Sequence, residues 1–341
     1  MLVVLTCKRS AMSEQAPVKW GVLSTARIGT EKVIPATQRS RLAVVDAIAS
    51  RDLARSTEAA QSLGIPKAYG SYEEMLADDE IEAIYNPLPN NLHPEWTIAA
   101  AKAGKHVLCE KPLAMTAPEA REMVEACEKA GVLLMEAFMY RLHPLWVEAK
   151  RMADSGAIGE VRGITSVFSY FNDDPTNIRN IADAGGGALY DIGCYPVNVS
   201  RLIFGSEPTD VSASIVRDPD MGIDILTAAI LEFEQGTSVL MCSTRLEPDQ
   251  RVEILGTEGR LVIEIPFNIP PDIPTRLLHL AGGDPPVDPR VTVHEIDTVD
   301  PYTVQADVFS AAVRGESPLP FPPSDAIANL EVIERIFATA G

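Results

Sequence analysis

The stretch HVLCEKPLAM, residues 106–115, ends a short apolar run in Glu110 and Lys111. Charges at the end of a buried strand are costly unless something pairs or uses them. Pro112 follows and prevents the ladder from continuing. Farther along, GGGALYDIGCYPVN (185–198) sets three glycines before a helical pattern carrying Asp191 and Tyr195. These two are four residues apart and are expected on one helical face. A third stretch, YNPLPNNLH (85–93), closes another apolar run with polar groups held between two prolines. An ammonium, a carboxylate and a phenol are groups that can take a proton from a substrate and stabilise the charge left behind.

Such groups need a scaffold that brings strand ends together. Apolar runs at 18–24, 42–50, 81–88, 106–111 and 132–138 alternate with helical patterns, which predicts a doubly wound α/β domain with a parallel sheet. The helix at 116–131 carries its own signals: Thr116 as N-cap, Pro118 in the first turn and Glu119 three residues after the cap. After about residue 140 the pattern changes. Alternating runs at 209–216, 223–234, 237–245, 251–256, 259–265 and 291–297, joined by short turns, predict an α+β domain on an open, mainly antiparallel sheet. Residues 269–290 read as a Pro/Gly-rich surface loop, and helices at 303–314 and 324–340 close the chain. The expected division is an extension at 1–16, a dinucleotide-binding Rossmann domain at 17–138, and a substrate-binding and oligomerisation domain at 139–341.

The formal net charge of the 341 residues is -19, and no run of Lys or Arg stands out. Such a chain repels phosphate backbones and anionic membrane surfaces, so neither nucleic acid nor membrane is an expected partner. Five cysteines without repeated spacing make neither a disulfide framework nor a zinc pattern. They suit buried thiols in a reducing cytoplasm, the expected location. No metal is expected.

In a doubly wound domain the first strand-to-helix turn carries a phosphate site. Here it reads GVLSTARIG, and of the three glycine positions of G-x-G-x-x-G, occupied by Ser24, Ala26 and Gly29, only the last is glycine. Small residues still allow close backbone approach, so Ser24, Thr25, Ala26, Arg27 and Ile28 are expected to cradle a pyrophosphate at a helix N-terminus. The second strand ends in Ser50-Arg51. A hydroxyl and a guanidinium suit a ribose 2′-phosphate, which points to NADP rather than NAD. Asp52 comes next and could serve NAD instead.

Together these pieces resemble the Gfo/Idh/MocA family of NAD(P)-dependent oxidoreductases, from about Val18 to the final helix. The resemblance rests on Glu110-Lys111-Pro112, on the GGG-x-L-x-D-x-G stretch, on Glu136 and on Arg141-x-His143-Pro144. It implies that Lys111 is catalytic with Asp191 and Tyr195, and that the Lys111-Pro112 bond is cis. It also implies that Pro87, Leu88, Asn90, His93, Glu110 and Lys111 bind the cofactor. Many members carry histidine where Tyr195 stands. Tyrosine there is similar to a subgroup of glucose–fructose oxidoreductases, dimeric dihydrodiol dehydrogenases and NADP-dependent D-xylose dehydrogenases. Lys111, Arg141, Asn177, Arg179, Asp191 and Tyr195 then line the substrate site.

The implied reaction moves a hydride between NADP and a sugar such as D-xylose or a related polyol. Alternatives are a trans-dihydrodiol or a 1,5-anhydro-ketose substrate, an NAD-dependent glycosidase, and an NADP sensor. Tyr195 is expected to act as base, its phenol lowered by Lys111 and the oxidised nicotinamide. Lys111 as proton carrier with Tyr195 orienting is the other division of labour. The open second sheet implies a homodimer or homotetramer.

Overall fold

The computed structural model describes residues 16–282 and 290–339. The expected N-terminal extension, apart from Ala16, and residues 283–289 of the expected surface loop lie outside them. The first sheet comprises β1 (Val18–Leu23), β2 (Ala43–Ala49), β3 (Lys67–Tyr69), β4 (Ala83–Asn86), β5 (His106–Cys109) and β6 (Leu134–Glu136), all parallel, in the order β3-β2-β1-β4-β5-β6. That order reverses direction between β1 and β4. In open parallel sheets such a switch point opens a crevice at the carboxyl ends of the strands. The connecting helices are α1 (Ile34–Thr37), α2 (Leu53–Leu63), α3 (Tyr72–Leu76), α4 (His93–Lys102) and α5 (Ala117–Ala130).

The cap chemistry read from the sequence is present. Thr116 and Glu119 form a reciprocal capping box on α5, and Gly131 ends that helix at φ 69°. One strand escaped the sequence reading. β3 is three residues long at the sheet edge, too short for an alternation to register. The first helix also differs from expectation. Residues Gly29–Val33 form a π turn before the short α1, and Pro35, which has no N–H for an i→i−4 bond, follows it.

Helix α6 (Pro144–Asp154) leads to the second sheet: β7 (Val161–Phe171), then α7 (Cys194–Phe204), β8 (Asp210–Arg217), β9 (Asp224–Glu232), β10 (Thr237–Ser243), β11 (Arg245–Gly256), β12 (Gly259–Ile263), β13 (Thr275–Ala281) and β14 (Arg290–Ile296). Its order is β14-β13-β12-β11-β7-β10-β9-β8, antiparallel except for β7 with β10. The two expected hairpins appear as β9–β10 and β11–β12. The expected surface loop at 269–290 is corrected. Thr275–Ala281 is strand β13, with Leu277 fully buried. The prolines and glycines on either side concealed a seven-residue run.

The last helices, α8 (Pro301–Val313) and α9 (Ser324–Thr339), return to the first domain. On α8, Phe309 is fully buried edge-on to Trp20 of β1 at 5.5 Å, and Trp20 Nε1 donates to Ser310 Oγ at 3.1 Å. On α9, Glu334 accepts from the backbone N–H of Ala117 at the start of α5. The sheets are thus joined by buried packing as well as by the connection after β6. Among the described residues no helix is long and apolar enough to cross a membrane.

Phe309→Ala removes the central contact between α8 and β1. It should lower unfolding stability by about 3–5 kcal/mol in urea titrations. A loss below about 1 kcal/mol would mean that α8 does not clamp the first sheet.

Candidate active site

Glu110 and Lys111 leave the carboxyl end of β5, and the Lys111-Pro112 peptide is cis. The Lys111 ammonium reaches across to the second domain, where it donates to the backbone carbonyl of Asp191 at 2.5 Å and lies 3.6 Å from its carboxylate. The carbonyl is available for a structural reason. Leu189–Gly193 form a π turn, and Pro196, five residues after Asp191, has no N–H with which to close an i→i+5 bond. The regular helix expected around 186–205 is corrected to a π turn followed by α7. Asp191 and Tyr195 nonetheless both line one cavity.

Two of the three glycines before this turn have separate jobs. A Cβ on Gly186 would lie 2.6 Å from the carbonyl oxygen of Arg179. Gly187 has φ 118°, and a Cβ there would meet a carboxylate oxygen of Asp224 at 2.1 Å. The other oxygen of Asp224 accepts the N–H of Leu189 at 2.7 Å and so caps the turn. The glycines let a buried carboxylate come close enough to fix the segment that presents Asp191.

Asp191 is surrounded by donors. Arg179 Nε donates to one oxygen at 3.1 Å and the Tyr170 hydroxyl donates to the other. Burial opposes its ionisation. The Lys111 ammonium, the Arg179 guanidinium and the Tyr170 hydroxyl overcome this and hold its carboxyl below the ordinary value. Tyr195 differs from expectation. Its ring is buried against Phe138, Phe168 and Phe267, and its hydroxyl is 3.9 Å from Met139 Sδ. The Lys111 ammonium sits over the ring face, 5.0 Å from its centre, rather than against the oxygen. Burial raises this phenol well above its ordinary value.

Two cavities meet here. One, of about 770 Å³, is lined by Ser24, Thr25, Ala26, Arg27 and Ile28 of the first turn, and by Ser50 and Arg51 after β2. The other, of about 650 Å³, holds Leu88, Asn90, Glu110, Lys111, Asp191 and Tyr195. Ile28, Pro87, Asn177, Ile178 and Arg179 line both, which makes one cleft that runs across the switch point. Ser24 stands where a first glycine was expected and takes the conformation that a glycine would favour, φ 72°. Asp52 is engaged: its carboxylate caps α2 by accepting the N–H of Ala54 at 2.9 Å. Arg55, one helical turn beyond Arg51, adds a second guanidinium to the same wall. The i,i+4 spacing of these arginines was visible in the sequence.

Two residues lie elsewhere. His93 is fully buried, with Nδ1 3.0 Å from the Pro112 carbonyl and Nε2 2.8 Å from that of Leu88. It ties together the loops after β4 and β5 and lines neither cavity. Arg141 pairs with Asp325 of α9, stacks on Phe321 at 3.5 Å, and also lines neither cavity. Tyr170 and Tyr302, which line the second cavity, went unnoticed because they lie far in sequence from the residues they approach.

His93 carries a pH dependence. Burial first, and the Lys111 ammonium with it, push its pKa to about 4, against hydrogen bonds to backbone carbonyls. A base depressed on folding adds stability above its unfolded pKa of about 6.5, and that stability is lost as pH falls to 4. Glu136, raised by burial to about 7, acts with the opposite sign over much of the same window. The histidine is therefore read as a difference. Between pH 7 and pH 4 the stability gap between wild type and His93→Gln should move against wild type by about 3 kcal/mol. A constant gap would show that His93 is not held neutral.

Comparison with known proteins places these features in context. Residues 18–138 match the family described as "Oxidoreductase family, NAD-binding Rossmann fold", and residues 146–262 match the "GFO/IDH/MocA C-terminal domain". An uncharacterized oxidoreductase, ORF334, of Rhizobium meliloti is 44% identical over 324 residues, covering 95% of this chain and 97% of that protein. D-xylose 1-dehydrogenase (NADP(+)) 2 of Haloferax volcanii is 40% identical over 324 residues, covering 94% and 97%. The crystal structure of a 3-ketoreductase from Actinomadura kijaniata, in complex with NADP and TDP-benzene, superposes with a TM-score of 0.88 at 29% identity. That match covers 95% of this chain and 98% of the other.

Proposed function

The chain belongs to the Gfo/Idh/MocA family of oxidoreductases, and we propose that it is an NADP-dependent dehydrogenase of an uncharged sugar, with D-xylose as the leading substrate. The observation that carries this reading is the single cleft, with a guanidinium pair in one cavity and Lys111 in the polar cavity that joins it.

The residues fit the cofactor. The left-handed Ser24 turn brings backbone close to a pyrophosphate. Ser50, Arg51 and Arg55 suit a 2′-phosphate, while Asp52, the group that would favour NAD, is occupied as a helix cap. The polar lining of the second cavity, including Asn172, Asn177, Arg179 and Asn268, suits hydroxyl groups better than an apolar diol ring. The bound cofactor supplies the hydride acceptor. Lys111 steadies negative charge on the substrate oxygen as its proton leaves. Asp191 fixes the ammonium through both its carbonyl and its carboxylate. Tyr195, with its phenol held well above 10, stays protonated and orients the reacting oxygen as a donor. This favours the division in which Lys111 carries the proton: its neutral amine takes the hydroxyl proton, and Asp191 holds the ammonium that results.

Purified protein with NADP⁺ and a panel of aldoses led by D-xylose should give growing absorbance of NADPH, with NAD⁺ much poorer. Lys111→Met should lower turnover by about 100-fold or more. Replacing Arg51 and Arg55 together by alanine should raise KM for NADP⁺ by about 100-fold or more and leave NAD⁺ unchanged, since each charge-assisted contact contributes about 1.5–3 kcal/mol. Silence on every sugar, or full activity of Lys111→Met, would end this reading.

Two copies associate through the outer face of the second sheet. Ile230 and Val239 are register partners on β9 and β10, and both side chains are exposed. Val216, Val291 and Val293 extend the apolar surface along the same sheet. Light scattering after size exclusion should give a dimer or a tetramer, and Val239→Glu should shift it toward monomer. A monomeric wild type would remove this association. The four described cysteines are free and buried, which suits a reducing cytoplasm.

A further inference from the structure

The loop that carries Lys111 is held from three sides. Glu110 accepts from the Tyr85 hydroxyl at 2.6 Å and, at 3.4 Å, from the Lys111 N–H. His93 lies against the Pro112 carbonyl. From the end of β6, Glu136 Oε1 accepts the N–H of Leu113 at 2.8 Å. The chemistry above gives Glu136 no part. From this geometry we propose that Glu136 is a positioning residue for Lys111: its carboxylate anchors the Leu113 N–H and thereby fixes the ammonium against Asp191. The inference rests on the reading of Lys111 as the group beside the reacting carbon.

Little slack separates anchor from ammonium. Pro112 has a fixed φ and is buried, and the Leu113 side chain is fully buried, so a shift at Leu113 passes to Lys111. An ionised acceptor makes a hydrogen bond roughly twice as strong as a neutral one. The surroundings of Glu136 govern which form is present. Asp325 on α9 repels its charge, Arg141 before α6 and Arg201 on α7 attract it, and the thiols of Cys109 and Cys194 lie beside it. Both guanidinium groups are committed to Asp325, and Arg201 also to Glu207. Desolvation prevails and takes the Glu136 carboxyl to about 7. Above that pH the anchor is charged and firm, and below it the anchor weakens.

The test uses the full chain, D-xylose and NADP⁺, with turnover and hydrogen exchange of the Leu113 amide followed from pH 6 to 8.5. Wild-type kcat should fall below about pH 7, with KM for NADP⁺ little changed. Glu136→Gln keeps an acceptor but is neutral at every pH. It should hold kcat at the low-pH wild-type level and abolish that fall. Glu136→Leu, with no acceptor, should lose about tenfold or more in amide protection and about 10- to 100-fold in kcat. If it does not fold, the near-isosteric glutamine variant decides through the pH profile. Turnover of the leucine variant within about twofold of wild type, or the same fall below pH 7 in the glutamine variant, would overturn the proposal. An inactive Lys111→Met beside unaffected Glu136 variants would sink this inference alone. A fully active Lys111→Met would sink the reading of the site.

Discussion

One contact between domains organises this molecule: the Lys111 ammonium, from the end of a parallel strand, held by the carbonyl and carboxylate of Asp191 on the second domain. A charge at a strand end is destabilising unless partners replace the water it loses. The hydrogen-bonding and ion-pair partners of the Lys111 ammonium among the described residues lie on the second domain. That domain supplies them through a π turn, whose geometry leaves the Asp191 carbonyl facing the cleft. The seam that holds Lys111 is thus also where the two sheets depend on each other.

The supports behind this contact are mostly backbone-directed. Asp224 caps the π turn by entering space that only Gly187 leaves open. Glu136 holds an amide of the Lys111 loop, and His93 packs between the Pro112 and Leu88 carbonyls. Asn90 donates to the Gly185 carbonyl and joins the loop after β4 to the glycine segment. Buried polar groups must find partners. Here the partners are chosen so that satisfying them also positions a lysine.

Charge is distributed with the same economy. The chain as a whole is at -19, yet the cavity at the first turn gathers Arg27, Arg51, Arg55 and Arg179 against Asp52 alone. A locally cationic cavity in an acidic molecule attracts an anionic ligand. In the adjoining cavity, Asp191 is kept ionised by three donors, whereas Tyr195 is kept protonated by burial among aromatic rings. Opposite environments a few residues apart separate the roles of two acids.

The sequence by itself determined the layered plan, because strand and helix periods and cap residues act locally. Thr116 with Glu119, Gly131 after α5, and the hairpin turns of the second sheet could be read without coordinates. It also placed Lys111, Asp191 and the Ser24 turn at strand or helix ends, where chemistry collects. It missed β3, which has three residues, and β13, which lies among prolines and glycines. Tertiary structure alone decided the rest. Arg141 and His93 looked like site residues because charge and imidazole are visible in a sequence, but burial and partners are not. Only the assembled domains show that the Tyr195 ring is enclosed and that the Lys111 ammonium faces the ring. Whether a titratable group is an acid, a base or an anchor depends on desolvation and on neighbours from distant parts of the chain. Those are set only when the sheets come together.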